Sequence, residues 1–285
     1  MGCGAASVAL PRSYRDGLTV RPSWFPDWSG DVVAIVAGGE SVIPEAVDSL
    51  RGRCRVAVIN NSYQLAPWAD LLYAADGKWW EYHVAARGFS GLKVTPDAAA
   101  ARRYGLNRVS LVPETAEECA RIFLGGDGSI GHGGNGGFQT VNLVTAFGAR
   151  RQIWIGLDFC GEHWHGKHPD ALKNPRPQTL EKWRKRLDGQ ADELKRLGVE
   201  VLNVSSTSAL TNYRKCSLPE ALASMDVKDD VVNFDAAETF LKEARAAHEA
   251  GDLRKSLAAR KLIAIALNLV DEPRVRLHTG HLKAT

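Results

Sequence analysis

Four clusters in this chain have the residue types and spacing to do chemistry. The densest is Asp158 followed by His163-Trp164-His165-Gly166-Lys167-His168. Imidazole titrates closest to neutral pH, so His168 or His165 is a candidate general base, with Lys167 placed near a phosphate. The HxHxxH spacing beside a carboxylate is also compatible with a metal site, or with a plain solvated loop. No second carboxylate stands as in a DxD site, so no metal ligand is assigned from the sequence.

The second cluster is Gly131-His132-Gly133-Gly134-Asn135-Gly136-Gly137, which runs into an apolar segment with helical spacing. Glycine gives up backbone entropy on folding, and a merely structural turn rarely needs more than two. Gly134, Asn135, Gly136 and Gly137 are therefore expected to wrap a phosphate or sugar, or to form a moving lid. The third is Gly38-Gly39-Glu40-Ser41, between an apolar run and a short helix. It is neither GxGxxG nor a Walker A loop. Gly38, Gly39 and Ser41 either approach a ligand or make an ordinary tight turn with Ser41 as the helix cap. In the fourth, Asn60-Asn61-Ser62-Tyr63 and Asp76-Gly77-Lys78-Trp79-Trp80 each follow an apolar run. Asn60 can read a base or sugar edge, and Asp76 can face a ligand or cap a helix. The paired tryptophans are either core or a stacking surface.

These clusters need elements to hold them. Val32–Ala37, Arg55–Ile59 and Leu71–Ala75 are continuous apolar runs, the mark of strands covered on both faces. Gly91–Thr95, Val109–Val112, Gln152–Gly156 and Val199–Val204 extend the series. Helical spacing falls at Val42–Leu50, Gly137–Phe147 and Gln178–Leu197. Strand alternating with helix predicts an α/β, Rossmann-like, doubly wound, mostly parallel sheet. Ligands of such sheets bind beyond the carboxyl ends of the strands, and each cluster lies at one of those ends. The organisation expected is an irregular arm over 1–30, pinned by Trp24, Phe25 and Trp28, and an α/β domain over 31–225. A helical annex over 226–285 completes it. Its segments Phe234–Ala250 and Leu253–Leu269 read as one αα-hairpin like a single tetratricopeptide unit, which cannot make a solenoid alone.

Composition narrows the function classes. The 285 residues are 45% hydrophobic and 24% charged, which excludes wholesale disorder and fibrous folds. A net charge of +3 gives no dedicated nucleic-acid surface. No apolar run is long enough for a membrane span. Cys3, Cys54, Cys119, Cys160 and Cys216 are odd in number and form no CxxC, as expected of free thiols in a reducing cytoplasm. The first residues lack the basic and apolar regions of a secretory signal. The Met-Gly start carries Ala6 where a myristoylation motif has Ser or Thr. The sequence reading is thus a cytoplasmic protein. Eight of the 27 glycines fall between Gly125 and Gly137, at one predicted helix start.

Taken in order, Gly39-x-Ser41, Asn60-x-x-Tyr63, the glycine-rich helix start, Gly156-Leu157-Asp158-Phe159, the histidine loop and Ser205-x-x-Ser208-x-Leu210 form a pattern. The pattern resembles the bacterial sialyltransferases with a modified Rossmann fold. It also resembles a related family containing archaeal 6-hydroxymethylpterin diphosphokinase and many phage or prophage proteins of unknown function. The phage members resemble it most in YAADGKWWEYH and HWHGKHPDALKNP, and the likeness spans about residues 31–220. It implies that Gly39 and Ser41 line a nucleotide, that Asn60 lies near the base or donor sugar, and that Asn135 and Gly136 hold donor polar groups. It also implies a catalytic histidine, with His168 the nearest match and His165 second. Two departures stand out: Glu40 replaces the proline of Gly-Pro-Ser, and Cys160 replaces a leaving-group tyrosine. They count against a sialic-acid donor more than against nucleotide binding.

The function expected is a nucleotide-dependent transferase of glycosyltransferase type, with a nucleotide or nucleotide-sugar donor, a histidine base and no metal requirement. A Mg²⁺-dependent pyrophosphokinase-type transferase, with Asp76 or Asp158 as ligand, is one alternative. A phage-encoded, non-catalytic binding or virion module is another, with residues 226–285 serving a homo-oligomer or protein partner.

Overall fold

The computed structural model describes residues 21–226, apart from 114, 116, 170 and 173. The first 20 residues of the arm, Cys3 and the expected helical annex from 227 onward lie outside the described residues.

The core is one sheet of eight strands, all parallel. The long strands are β1 (Val32–Val36), β2 (Arg55–Ile59), β3 (Leu71–Tyr73), β4 (Leu92–Thr95), β6 (Arg151–Ile155) and β7 (Glu200–Asn203). The two edges, β5 (Asn107–Arg108) and β8 (Arg214–Lys215), are only two residues long. The order is β5-β4-β3-β2-β1-β6-β7-β8, so the chain steps outward from β1, returns, and builds the other half from β6. The switch point of the doubly wound sheet therefore lies between β1 and β6.

Alternation along the strands builds two cores. Val33, Ile35, Ala57, Ile59, Leu71, Tyr73 and Trp154 face α4 (Gly136–Ala146), α5 (Pro177–Asp188) and α6 (Ala191–Arg196). Phe138, Val141 and Leu143 of α4, Leu187 of α5 and Leu194 of α6 fill that side. Ala34, Val36, Val56, Val58, Leu72, Ile153 and Ile155 face α1 (Pro44–Val47), α2 (Gly77–Tyr82), α3 (Ala98–Tyr104) and α7 (Leu218–Asp226). Being covered on both faces is why these strands are nearly free of polar residues. In the arm, Trp24, Phe25 and Trp28 pack around Phe147 at the end of α4, with ring centroids 4.9–6.2 Å from it.

Three elements depart from their sequence expectation. Val109–Val112 is not a strand: the edge strand is Asn107–Arg108, and Leu111 keeps only an isolated bridge to Ile130. Gln178–Leu197 is two helices: α5 ends at its Gly189 cap, and Gln190, at the start of α6, accepts the Ile122 N–H with its side-chain oxygen at 2.8 Å. Val42–Leu50 shrinks to α1 and a 3-10 turn, starting at Ile43 rather than at a Ser41 cap. The two tryptophans after Asp76 are core: the Trp79 Nε1–H donates to Asn61 and that of Trp80 to the Ala74 carbonyl. Among the described residues no helix is long and apolar enough to cross a membrane. Cys54, Cys119, Cys160 and Cys216 are free thiols.

At the switch point the two halves are tied by the Gly39 N–H donating to the Gly156 carbonyl at 2.9 Å and by one carboxylate. Asp158, 1% exposed, accepts from the Ser41 N–H at 2.8 Å and from the Ser41 hydroxyl at 2.7 Å, one bond to each oxygen. A side chain on Gly39 would strike both this carboxylate and the Gly156 carbonyl, so residue 39 must be glycine for the loops to close. Asp158→Ala strands two donors and is expected to remove roughly 3 kcal/mol of stability. Asp158→Asn, which keeps the shape and one acceptor, is expected to lose less than half of that. Urea unfolding midpoints check both, and an unchanged midpoint for the alanine variant would refute the clasp.

Candidate functional site

A cavity of about 720 Å³ opens at the switch point, beyond the carboxyl ends of β1, β2 and β6. Gly38, Gly39, Asn60, Asp76, Gly134, Asn135, Gly136, Gly137, Asp158, Lys167 and His168 all lie on its wall. The fold thus gathers in one place residues that span 130 positions of sequence, Gly38 to His168. Two hollows of about 690 and 570 Å³ at the opposite end of the strands are comparable in size. Their charged centre, Arg55, is already held by Asp31 at 3.0 Å and Asp70 at 2.9 Å, and none of the four sequence clusters reaches them.

Ser41 and His165 are off that wall. Ser41 is turned inward to Asp158, so its expected place against a nucleotide is corrected: it holds the loop that the cavity uses. Glu40 is itself off that wall. Its carboxylate turns to the neighbouring loop, lies against Gly161 and accepts from the Glu162 N–H at 3.3 Å.

The glycine loop is held rather than loose. α4 carries two buried amides on its sheet side: the Asn142 oxygen accepts from the Phe123 and Gly131 N–H groups at 2.8 Å each. Gln139 accepts from the Tyr73 hydroxyl at 2.9 Å and donates to the His132 carbonyl at 2.7 Å. Most of the loop's glycines have packing reasons. Residues 131 and 133 have no room for a Cβ, meeting the Arg121 main chain and Phe138, whereas at 134 and 137 it would meet the side-chain ends of Arg186 and Leu157. Gly133 and Gly134 also need positive φ, +57° and +86°. Gly136 differs, because a methyl there meets only Ile59 at 3.4 Å and Tyr73 at 3.9 Å. The glycine excess is thus mainly structural, and the backbone at 136 is the part whose openness the packing does not require.

Asn135 caps α4. Its side-chain oxygen accepts from the Phe138 N–H at 2.9 Å, while its Nδ2 is buried with no hydrogen-bond partner among the described residues. The first N–H groups of a helix have no partner inside it, so those of Gly136 and Gly137 stand beside this unused amide donor. Asp76 is spent differently: it caps α2 by accepting from the Lys78 N–H at 2.9 Å.

The histidine loop forms the opposite wall. It is zipped to the β1 turn by a bridge from His163 to Gly39 and by the Trp164 N–H donating to the Gly38 carbonyl at 3.0 Å. Trp164 Nε1–H reaches the Ser62 hydroxyl at 3.3 Å, and that hydroxyl donates to the Ala37 carbonyl at 2.8 Å. Asn174 clamps the main chain of His168 from both sides, at 2.9 and 3.1 Å. Burial, then the neighbouring imidazoles of His163, His165 and His83, pull the His168 ring down to a pKa of about 4. Burial and His163 lower His165 in the same direction. Both rings are therefore neutral at pH 7, the form that can accept a proton. Lys167 lies in the open, 3.6 Å from Glu162.

Sequence reasoning missed one wall. Leu180 and Trp183 of α5 line the cavity together with Pro175, Pro177 and Phe159. Trp183 sits one turn after Leu180 on an otherwise charged helix, and that inward pair was the available signal. Asn60 and Phe159, at φ +50° and +55°, are non-glycine residues held left-handed on the same wall. Such strain gathers where a surrounding structure over-determines a site.

No family model matches the chain, and no curated protein matches it. Among solved structures it is similar to the sialyltransferase CstII from Campylobacter jejuni in complex with the substrate analogue CMP-3FNeuAc. That match has 10% identity and a TM-score of 0.37, covering 66% of this chain and 86% of that one. A structure of the sialyltransferase CST-II with a trisaccharide acceptor and CMP stands at the same identity and TM-score, covering 65% and 86%. A likeness this loose carries no argument about activity. The α/β Rossmann-like fold rests on the strand order itself.

Proposed function

We propose that this protein is a nucleotide-dependent transferase of glycosyltransferase type, working in the switch-point cavity. One observation carries the reading: the buried, unpartnered Asn135 Nδ2 at the N-terminus of α4, on the cavity wall. An amide donor beside unpaired helix N–H groups suits an anionic oxygen, and a nucleotide phosphate is the anion that a cavity of this volume and position accommodates. The apolar wall of Phe159, Leu180 and Trp183 then takes the base or sugar. Asn60 offers an amide to read its edge.

The transfer needs a proton acceptor across from the phosphates, and the neutral His168, with His165 behind it, serves. The acceptor hydroxyl gives its proton to imidazole as its oxygen bonds to the donor sugar carbon. The bond from that carbon to the phosphate breaks, and the nucleotide leaves with the electron pair. The α4 N–H groups, Asn135 and Lys167 stabilise the departing charge, and Cys160 leaves the leaving-group tyrosine without a counterpart.

A thermal-shift panel of nucleotides and nucleotide sugars tests the reading. A ligand at 100 times its Kd is expected to add about 2.7 kcal/mol, and no shift with any of them sinks the proposal. Asn135→Asp keeps the cap but turns the donor into a negative oxygen. It is expected to melt like the parent and to lose at least about tenfold in affinity, whereas Asn135→Ala also loses about 1 kcal/mol of stability. Gly136→Ala is expected to fold normally and bind weakly. If both aspartate and alanine substitutions leave binding intact, the phosphate is elsewhere. Once a donor is known, His168→Ala is expected to lower turnover by about 100-fold or more with binding retained.

A further inference from the structure

The histidine loop holds more imidazole than a base requires. Ring nitrogens of His163, His165 and His168 all lie within 4.8 Å of one another, and their ring centroids are 4.7–5.1 Å apart. All three rings are half-buried. Zinc–nitrogen bonds of 2.0–2.1 Å in a tetrahedral site put ligand atoms about 3.3 Å apart, so each pair closes by no more than about 1.5 Å.

Two further observations point the same way. The His163 Nδ1–H faces the Gly38 carbonyl at 3.2 Å, which can only accept. That bond fixes the tautomer and leaves the Nε2 lone pair available, as a backbone carbonyl does behind a metal-ligating histidine. Nδ1 of His168 is buried with no hydrogen-bond partner among the described residues, and so is Nε2 of His83. The His83 Nδ1 is 3.3 Å from the Tyr63 hydroxyl, and its ring stacks on Trp79 at 4.3 Å. Among the described residues, Asp158 is spent on Ser41 and Glu162 pairs with Lys167.

We infer that His163, His165 and His168 bind one divalent transition-metal ion of imidazole preference, Zn²⁺ before Mg²⁺ or Ca²⁺. The nitrogen-only donor set decides the class, since hard cations take oxygen ligands. His163 and His168 both line the cavity, so the ion's open position faces it. An ion and a free His168 base are exclusive states of one ring. A stoichiometric zinc site would therefore move the base role off His168 while leaving the nucleotide reading in place.

The test is titration of the full chain, untagged and stripped with chelator, with Zn²⁺ by calorimetry and Co²⁺ by visible absorption. One equivalent is expected to bind, with Co²⁺ giving the bands of a low-symmetry nitrogen site. His163→Asn and His165→Gln are each expected to weaken Zn²⁺ by about 100-fold or more. His132→Asn is expected to leave it unchanged. His165 has no place in the zipper to β1, so His165→Gln still reports if His163→Asn misfolds, with circular dichroism as the check. Absence of stoichiometric zinc binding overturns the proposal. So does parental affinity in His165→Gln, which would put the metal on histidines elsewhere in the chain. Nucleotide shifts measured on the stripped protein report separately on the transferase reading.

Discussion

A single buried carboxylate organises the functional end of this molecule. A doubly wound sheet leaves a gap where its two halves diverge, and the loops leaving β1 and β6 must be kept from parting there. Asp158 does this by accepting both donors of Ser41, with Gly39 giving it room. A carboxyl group so deeply buried needs hydrogen-bond partners, and a bond to each oxygen meets that condition. With the β1 turn fixed, the histidine loop can lie across Gly38 and Gly39, and Glu40 is free to hold Gly161 and Glu162. The floor and one wall of the cavity follow from that clasp.

The second wall has a different origin. α4 buries Gln139 and Asn142 against the sheet side of the molecule, where apolar residues would pack more simply. Each amide is satisfied by backbone or side-chain groups of neighbouring segments, so together they act as pegs for the chain between Phe123 and Gly134. Arg186 adds a bond to the Gly133 carbonyl at 3.1 Å. The glycine-rich segment is accordingly pre-shaped, which reduces the entropy lost when a ligand settles against it.

Much of this was legible in the sequence, and what was not has physical reasons. Apolar runs such as Val32–Val36 and Arg55–Ile59 announce buried strands, because a parallel sheet covered on both faces excludes polar side chains. The same rule located the cavity by its strand ends. It could not say which way a side chain turns: Ser41 and Asp158 read alike as ligand contacts, and only their mutual bonds show them to be partners. The glycines of 131–137 misled in the same manner, since Phe138 folds back on Gly133 while Leu157 and Arg186 reach Gly137 and Gly134 from distant segments. Leu180 and Trp183 were lost in a helix whose charge masked its inner face. That helix ended early at Gly189, a lone glycine inside a helical pattern, and the bond from the Ile122 N–H to Gln190 that accompanies the break comes from a distant segment.

The sheet ends on both sides in strands of two residues, and these carry Arg108 at one edge and Arg214 and Lys215 at the other. An unpaired strand edge is a template on which another chain can extend the ladder, and here the template is short and cationic. A second copy adding by either edge would gain few main-chain bonds and set like charges face to face. Among the described residues, both edges thus guard the fold against growth into a continuous sheet.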